Sequence, residues 1–312
     1  TNIATIFEGT NGSWENLPHQ FSLLIDPNNP NNMYFCSIRK ALQEVGSLRD
    51  DSVLTKGGYG VYKSTDGGVH WSLSNSGLPN NGSVRRLTMD PKNSSILYAS
   101  INQWGNNDIG GLYKSTNKGS SWNKMSIPSI IKSVNNLFID RNTNDMFISC
   151  GNRNGNYTAG GVWKSSDNGS SWTQLFKAPY VWQTEVSPVN SNIITVNAAV
   201  QIPNLRGEFL NPGAYISRDG GATWTKINKG LAHPGRITDL KPDPYDESVL
   251  WSAGWGSAWY KAIIPTENVK AVCENIEVKE GEEVSLSALA SIGTKLKYKW
   301  VPPVEISLSS TD

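Results

Sequence analysis

The side chains of this 312-residue chain best suited to chemistry are a few carboxylates and aromatic rings set among glycine and asparagine. Hydrolysis of a glycosidic bond needs two carboxyl groups, one as acid and the other as base or nucleophile. The candidate carboxylates are Glu44, Asp50, Asp51, Asp108 and Glu208. Flat aromatic rings beside amide or charged groups suit sugars, which offer an apolar C–H face and a rim of hydroxyls. The candidate substrate-binding residues are Trp104, Tyr157, Trp182, Trp255, Arg153 and Glu208.

Each candidate also has a purely structural interpretation. Asp108 could be a solvated loop aspartate, because the Gly-Gly-Leu-Tyr that follows it is also this protein's own third-strand phrase. In its favour, the corresponding positions of the neighbouring repeats hold Gly57, Thr158 and Leu210, so the repeat itself does not require an Asp there. Tryptophan is usually mostly buried, and the candidate tryptophans could instead be wedged between structural units. Both interpretations stay open from sequence alone.

A short phrase that occurs four times organises the chain. Each copy, called a box here, starts with Ser, has Asp or Asn at its third position and Gly at its fifth, and ends in Trp. The tryptophans are 51, 50 and 52 residues apart, which indicates an array of equivalent supersecondary units. The four boxes contain Ser64, Asp66, Gly68 and Trp71; Ser115, Asn117, Gly119 and Trp122; Ser165, Asp167, Gly169 and Trp172; Ser217, Asp219, Gly221 and Trp224.

Hydrophobic alternation and turn residues predict four strands in each period. First strands are predicted at 21–25, 85–89, 136–139, 183–186 and 237–240, and a turn rich in Asp, Pro and Asn follows. Second strands are predicted at 33–37, 96–101, 146–150, 193–197 and 249–253, and third strands at 61–63, 112–114, 162–164, 214–216 and 259–261. A fourth strand is predicted to open at each box tryptophan.

Four antiparallel strands per period of about 50 residues are typical of a β-propeller blade. The sequence therefore predicts an all-β fold of four-stranded antiparallel blades, of which about five are visible. Trp14 could supply a fourth strand that closes a five-bladed ring, or the five blades could belong to a larger propeller. The connections between strands two and three and between strands four and one share one face, and every candidate above lies on or near it. Loops on a rigid scaffold are the favoured place for binding.

The boxes resemble the Asp-box (BNR) repeat of sialidases, sortilin-type receptors and two-propeller xyloglucanases of glycoside hydrolase family 74. In those families the box residues are a fold device. Asp108-Ile-Gly-Gly-Leu-Tyr113 is similar to the stretch around a catalytic aspartate of the xyloglucanases, and the resemblance implies that Asp108 is the candidate catalytic residue. That resemblance implies a second aspartate on a facing propeller, outside this one. The sialidase resemblance is weaker, because the Arg-Ile-Pro motif is absent and Gln201 replaces its arginine.

From Pro265 the pattern changes, so the predicted domains are a propeller over 1–264 and a second β module over 265–312. Tyr298 and Trp300 match the paired aromatics of a PKD or immunoglobulin-like module, and the segment is too short for a complete sandwich of that kind. Such an appended module is usual in secreted polysaccharide-active proteins. The sequence therefore predicts an extracellular or cell-surface location.

Charge and motif content argue against several classes of function. Lys plus Arg (28) nearly cancels Asp plus Glu (27), so nucleic acid and anionic membranes are not predicted partners. Three scattered cysteines and three distant histidines suggest no disulfide framework, metal site or Ser-His-Asp triad, and no phosphate loop is present. No cofactor is expected, and no apolar run is long enough for membrane insertion.

Two functions remain after these exclusions. One is a secreted carbohydrate-active protein, such as a xyloglucanase-like hydrolase that acts on or binds polysaccharide. The other is a non-catalytic scaffold or receptor that binds a protein or glycan, and the lack of a convincing carboxylate pair favours it. Since propellers host both, the fold does not decide between them.

Overall fold

The computed structural model describes residues 19–38, 60–80, 82–102, 110–152, 159–199, 212–231, 234–254 and 257–264. The chain divides into two compact units, Thr1–Ala262 and Ile263–Asp312. The predicted module at 265–312 and the predicted strand at Trp14 lie outside the described residues. In the described ranges, no helix is long and apolar enough to cross a membrane.

The described residues form five antiparallel sheets, named blades 1 to 5 in chain order. Blade 1 contains β1 (His19–Ile25), β2 (Met33–Ile38), β3 (Gly60–Ser64) and β4 (Ser72–Leu73). Blade 2 contains β5 (Ser83–Asp90), β6 (Asn93–Asn102), β7 (Gly111–Ser115) and β8 (Asn123–Lys124). Blade 3 contains β9 (Val134–Ile139), β10 (Met146–Cys150), β11 (Gly161–Ser165) and β12 (Thr173–Phe176). Blade 4 contains β13 (Val181–Val186), β14 (Ile194–Ala198), β15 (Gly213–Ser217) and β16 (Thr225–Lys226). A 3-10 turn at Pro234–Arg236 precedes blade 5, which contains β17 (Ile237–Pro242), β18 (Val249–Gly254) and β19 (Ser257–Ile263).

This architecture confirms the predicted all-β class and the repeated four-stranded antiparallel unit. Strands follow chain order within each blade, so every connection joins neighbours. The fourth strands differ from the prediction: each starts one residue after its box tryptophan, and three of the four are only two residues long. The reason is that the tryptophan still belongs to the turn, where its indole N–H bonds a carbonyl, and ladder pairing begins after it.

Consecutive blades pack face to face through a repeated pair of surfaces. We call the side of a blade that contacts the next blade its forward face, and the side that contacts the preceding blade its rear face. Tyr34 and Val61 of the blade 1 forward face are fully buried against Leu87 and Ile101 of the blade 2 rear face. Tyr98 and Leu112 pack on Leu137 and Ile148, and Phe147 and Val162 pack on Val186 and Val196. Burial of each such side chain contributes about 1.5–3 kcal/mol, so the junctions between blades carry much of the core.

Polar side chains also join each blade to the next. At all four described junctions, a side-chain hydroxyl or amide of one blade donates a hydrogen bond to a main-chain carbonyl in the first strand of the next blade. The accepting residue is at the same position of that strand in every case. The pairs are Ser22 Oγ to Leu87 O (3.3 Å), Thr88 Oγ1 to Leu137 O (2.7 Å), Asn136 Nδ2 to Thr184 O (3.1 Å) and Thr195 Oγ1 to Leu240 O (3.1 Å). These bonds fix the position of each blade along its neighbour.

The boxes are compact turns held by their own side chains. In the third box, Ser165 Oγ donates to Asp167 Oδ1 (2.7 Å) and accepts from the Gly169 amide (2.8 Å). Asp167 Oδ1 also accepts from the Ser171 amide at 2.9 Å. The other three boxes make the same bonds at 2.7–2.9 Å, with Asn117 in place of Asp in the second. Since these turns use their polar groups internally, they act as fold elements.

The carboxylates of the third and fourth boxes have low pKa values. The Ser171 hydroxyl and amide and the Ser165 hydroxyl lower the pKa of Asp167 to about 2, and Thr223 and Ser217 do the same for Asp219. A carboxyl whose pKa is lower folded than unfolded adds stability that is fully present above its unfolded pKa and is lost as the pH falls through its folded pKa. That window extends from about pH 4 down to about pH 2.

We expect the double variant Asp167→Asn/Asp219→Asn to lose less of its free energy of unfolding between pH 4 and pH 2 than the wild type. Asn is a suitable replacement because Asn117 already makes the equivalent bonds in the second box. Urea unfolding at a series of pH values measures the effect. Stability curves that run parallel through this range would contradict the assignment.

Candidate binding site on the loop-bearing face

The boxes and the turns between first and second strands lie at the same end of each blade. The amides of Gly67, Lys118 and Gly220 in three boxes donate to carbonyls of the same blade, in the first turn or at the start of the second strand, at 2.9–3.0 Å. Because the strands alternate in direction, the connections from second to third and from fourth to first strands lie at the opposite end. We call that end the loop-bearing face, and every first strand starts there.

Each first strand has a β-bulge at the same position near this face. The pairing register shifts at one residue of each first strand: Phe21, Arg85, Asn135, Trp182 and Thr238. This residue is two positions before the one whose carbonyl accepts the hydrogen bond between adjacent blades. A bulge leaves one residue unpaired, bends the strand and re-aims the side chain, and bulges are common beside binding sites. Here the backbone geometry is constant across the blades while the side chain differs in each. We call these five positions the bulge ring.

Two members of the bulge ring are stacked on each other across blade 3. The Cζ atom of Arg85, on blade 2, lies 3.5 Å from the ring centroid of Trp182, on blade 4. Arg85 is only 4% exposed, and Trp182 is half-buried. Tyr180 extends the cluster, with its ring centroid 5.2 Å from that of Trp182. A guanidinium desolvated over an indole is among the stronger cation–π arrangements, which makes this contact a rigid part of the site.

Asn135 lies in blade 3, between the strands that carry this pair, and it is almost fully buried. Its Nδ2 donates to Gly151 O at 2.7 Å and to Val181 O at 2.8 Å, so its amide cannot flip without losing both bonds. Its Oδ1 is buried and accepts no hydrogen bond in the described part of the chain. A buried acceptor without a donor is costly, and a small internal donor such as a water would satisfy it.

The next position along each first strand forms a second polar layer. Arg86 Nε donates to Asn136 Oδ1 at 3.2 Å, and Arg86 Nη2 reaches Asp239 Oδ1 of blade 5 at 3.5 Å. Two residues further along blades 4 and 5, Lys241 Nζ lies 3.5 Å from Glu185 Oε1. The two carboxylates that the described first strands place here are therefore each paired with a cation. Groups paired in this way suit a structural layer beneath a site better than they suit acid–base chemistry.

Of the residues predicted from sequence to bind or cut substrate, Trp182 is the one that the structure describes, and it belongs to the bulge ring. Asp108, Trp104, Tyr157, Trp255, Arg153 and Glu208 lie outside the described residues. Within the described ranges, no group of three or more His, Cys, Asp or Glu side chains could hold a metal ion.

Sequence reasoning missed Arg85, Asn135 and Thr238 as site residues. A signal for them was present: in the first strands of blades 2 to 5, two large or polar residues follow one another where strict alternation would place an apolar one. Arg85-Arg86, Asn135-Asn136, Trp182-Gln183 and Thr238-Asp239 are these pairs. The alternation fails because the bulge adds one residue to the strand. The same break explains why four of the five first strands begin two residues earlier than predicted.

Solved structures with the same arrangement of strands identify the fold. An ancestral GH74 enzyme superposes with a TM-score of 0.57 at 19% identity, over 78% of this chain and 30% of that one. The GH74 xyloglucanase from Xanthomonas campestris superposes with a TM-score of 0.54 at 15% identity, over 77% of this chain and 36% of that one. The chain is a β-propeller. The propeller spans about a third of the length of these two structures, and at such identities the likeness shows the fold alone.

A family model described as Sortilin, neurotensin receptor 3 (Sortilin-Vps10) matches residues 59–199 of the propeller. The match covers less than half of the chain and runs from blade 1 to blade 4. No curated protein is significantly similar to it in sequence.

Proposed function

We propose that this propeller binds a polysaccharide or glycan on its loop-bearing face, around the bulge ring. The observation that carries the proposal is the bulge at one position of all five first strands, which presents different side chains in a common geometry. A purely structural repeat would favour one residue type there. A ligand that spans several blades, by contrast, would favour a different contacting side chain on each blade.

The side chains at these positions match the groups that a sugar offers. Trp182 is half-buried and brings an aromatic ring that suits the apolar C–H face of a sugar. Arg85, stacked on Trp182, adds planar N–H donors and holds the indole in place. Aromatic rings flanked by a few well-placed polar groups are typical of ligand sites.

Hydrolysis is the extension of this proposal. The paired state of Glu185 and Asp239 supports a binding role for the described part of the site. Cleavage would rest on Asp108, as the resemblance to the xyloglucanases implies, with a second carboxyl group about 5–10 Å away. We also propose a secreted or cell-surface location, in keeping with a polysaccharide ligand and with an accessory module at 265–312.

A protein or peptide partner is the second candidate. The observation in its favour is the family model that matches residues 59–199, whose description names a receptor. The same ring of aromatic, amide and guanidinium groups would suit a peptide backbone and its side chains. The two candidates share a site and differ in the ligand.

The test measures binding and cleavage together. We expect Trp182→Ala to weaken binding of the full chain to xyloglucan or another β-glucan by about 10–100-fold, because loss of an aromatic anchor at the centre of a site costs about 2 kcal/mol or more. Affinity electrophoresis or calorimetry measures binding, and release of reducing ends measures cleavage. Asp108→Asn separates the two activities, since it should abolish cleavage and leave binding nearly unchanged.

Tyr245→Ala is the matched control, because Tyr245 is an exposed aromatic residue on the first turn of blade 5, at the opposite end from the loops. It should leave binding intact. A melting temperature close to that of the wild type shows that Trp182→Ala still folds. Equal loss of binding in both variants, or no binding to any polysaccharide, contradicts the glycan proposal and leaves the protein partner.

A further inference from the structure

Two adjacent residues of blade 2 reach blades that are not its neighbours. Arg85 stacks on Trp182 of blade 4, and Arg86 Nη2 lies 3.5 Å from Asp239 Oδ1 of blade 5. Both contacts start on the first strand of blade 2 and end on another first strand. The polar bonds at the junctions, by contrast, join each blade only to the next. These two contacts therefore cross the middle of the array of blades.

Arg86 is also the centre of a series of polar contacts that runs through blades 2 to 5. Its Nε donates to Asn136 Oδ1 of blade 3 at 3.2 Å. Asn136 Nδ2 in turn donates to Thr184 O of blade 4 at 3.1 Å, so the direction of this amide is fixed. Thr184 lies two residues after Trp182 on the same strand. The series therefore connects Asp239 to the strand that carries the aromatic ring of the site.

The guanidinium of Arg86 is held at two points. Nε contacts Asn136 and Nη2 contacts Asp239, and because the group is planar and rigid, the two contacts together set its orientation. The side chains of Arg86 and Asp239 are only 25% and 36% exposed, so salt screens their attraction less than that of a fully exposed pair. Loss of the Asp239 carboxylate would release one of these two points. Since Arg85 is the adjacent residue, a shift of this strand would move the guanidinium that stacks on Trp182.

We propose that Arg86 and Asp239 are positioning residues of the ligand site: their contact holds the stack of Arg85 on Trp182 and thereby the direction in which the indole faces. The inference rests on the proposed function, because it assigns this polar layer a role in glycan binding by Trp182. Neither Arg86 nor Asp239 has to touch the ligand. A site keeps its geometry when the residues beneath it lock the side chains that make the contacts.

The neighbouring ion pair provides a matched comparison. Lys241 Nζ and Glu185 Oε1 are also 3.5 Å apart and also join two first strands, but these strands belong to adjacent blades. Glu185 lies three residues after Trp182 on the same strand. If any lost charge pair near the site disturbed the indole, Lys241→Ala and Asp239→Ala would have equal effects. The proposed positioning role predicts an effect for Asp239→Ala alone.

The first measurement needs no ligand. With 5-fluorotryptophan incorporated into the full chain, the ¹⁹F signal of Trp182 is the one that is missing from the Trp182→Phe variant. We expect Asp239→Ala to shift or broaden this signal and Lys241→Ala to leave it in place. Asp239→Glu should restore the wild-type signal, because its longer carboxylate still reaches Arg86. A Trp182 signal that stays unchanged in Asp239→Ala overturns the proposal.

The second measurement is calorimetric binding of xyloglucan to the same variants. Asp239→Ala should weaken binding about three- to tenfold, whereas Asp239→Glu and Lys241→Ala should bind within about twofold of the wild type. Equal weakening by the two alanine variants, at melting temperatures near that of the wild type, contradicts the positioning role. If the wild type binds no polysaccharide, the proposed function fails, and the Trp182 signal still decides whether Asp239 positions the indole.

Discussion

Replacing Trp122 with alanine is expected to lower the free energy of unfolding by about 3–5 kcal/mol, as for other buried tryptophans. Trp122 is the most buried of the four box tryptophans and belongs to the cluster between blades 1 and 2. Its indole N–H donates to Ser74 O of blade 1 at 2.7 Å. The indoles of Trp71 and Trp172 instead donate to a glycine carbonyl of their own box. Trp122 therefore joins two blades as well as filling a core.

Two matched variants separate these contributions. Trp122→Phe keeps an aromatic ring but leaves the Ser74 carbonyl without its donor, and should cost about 1–3 kcal/mol. Trp71→Ala removes a partly buried indole that bonds its own turn, and should cost less than Trp122→Ala. Urea unfolding followed by far-UV circular dichroism measures all three. Equal losses for the Trp71 and Trp122 alanine variants would contradict the special role of the second box.

The second large effect is expected at Gly77, on the same junction. Gly77 has φ of +86°, and a Cβ there would lie 2.0 Å from the carbonyl oxygen of Trp122. That oxygen belongs to backbone which is itself held by a bond from the Trp122 amide to Ser76 O at 2.9 Å. Gly77→Ala should therefore displace the chain between blades 1 and 2 and cost about 3–5 kcal/mol.

Gly230 provides the matched control for this substitution. It has the same φ of +86°, yet no atom of the described residues lies within 4 Å of an added Cβ. Gly230→Ala should show only the cost of a left-handed conformation, about 1–2 kcal/mol. The difference between the two variants, measured by denaturant unfolding, isolates the contact with Trp122. A difference near zero would mean that the junction relaxes around the methyl group.

Most of the fold could be predicted from the sequence because its signals are local and repeated. The box tryptophans establish the period, and the Asp-rich turn after each first strand establishes where pairing reverses. The predicted second strand 33–37 differs by one residue from the observed Met33–Ile38, for example. The fourth strands were less predictable, since tertiary contacts of the turn decide where ladder pairing begins.

The candidate site was predictable only in part. Trp182 could be chosen for its type, but its neighbour Arg85 comes from a strand nearly 100 residues earlier and meets it only when three blades are stacked. Long-range packing, not local propensity, decides this contact.

The bulge ring separates the shape of the site from its chemistry. The bend comes from the backbone pairing, which tolerates Phe, Arg, Asn, Trp or Thr at the bulged residue. After duplication of a blade, a single substitution at this position can thus change which ligand group the blade prefers, while the backbone pairing of the blade stays the same. For the same reason, substitutions at these five positions could exchange one ligand for another during evolution without a change of the scaffold.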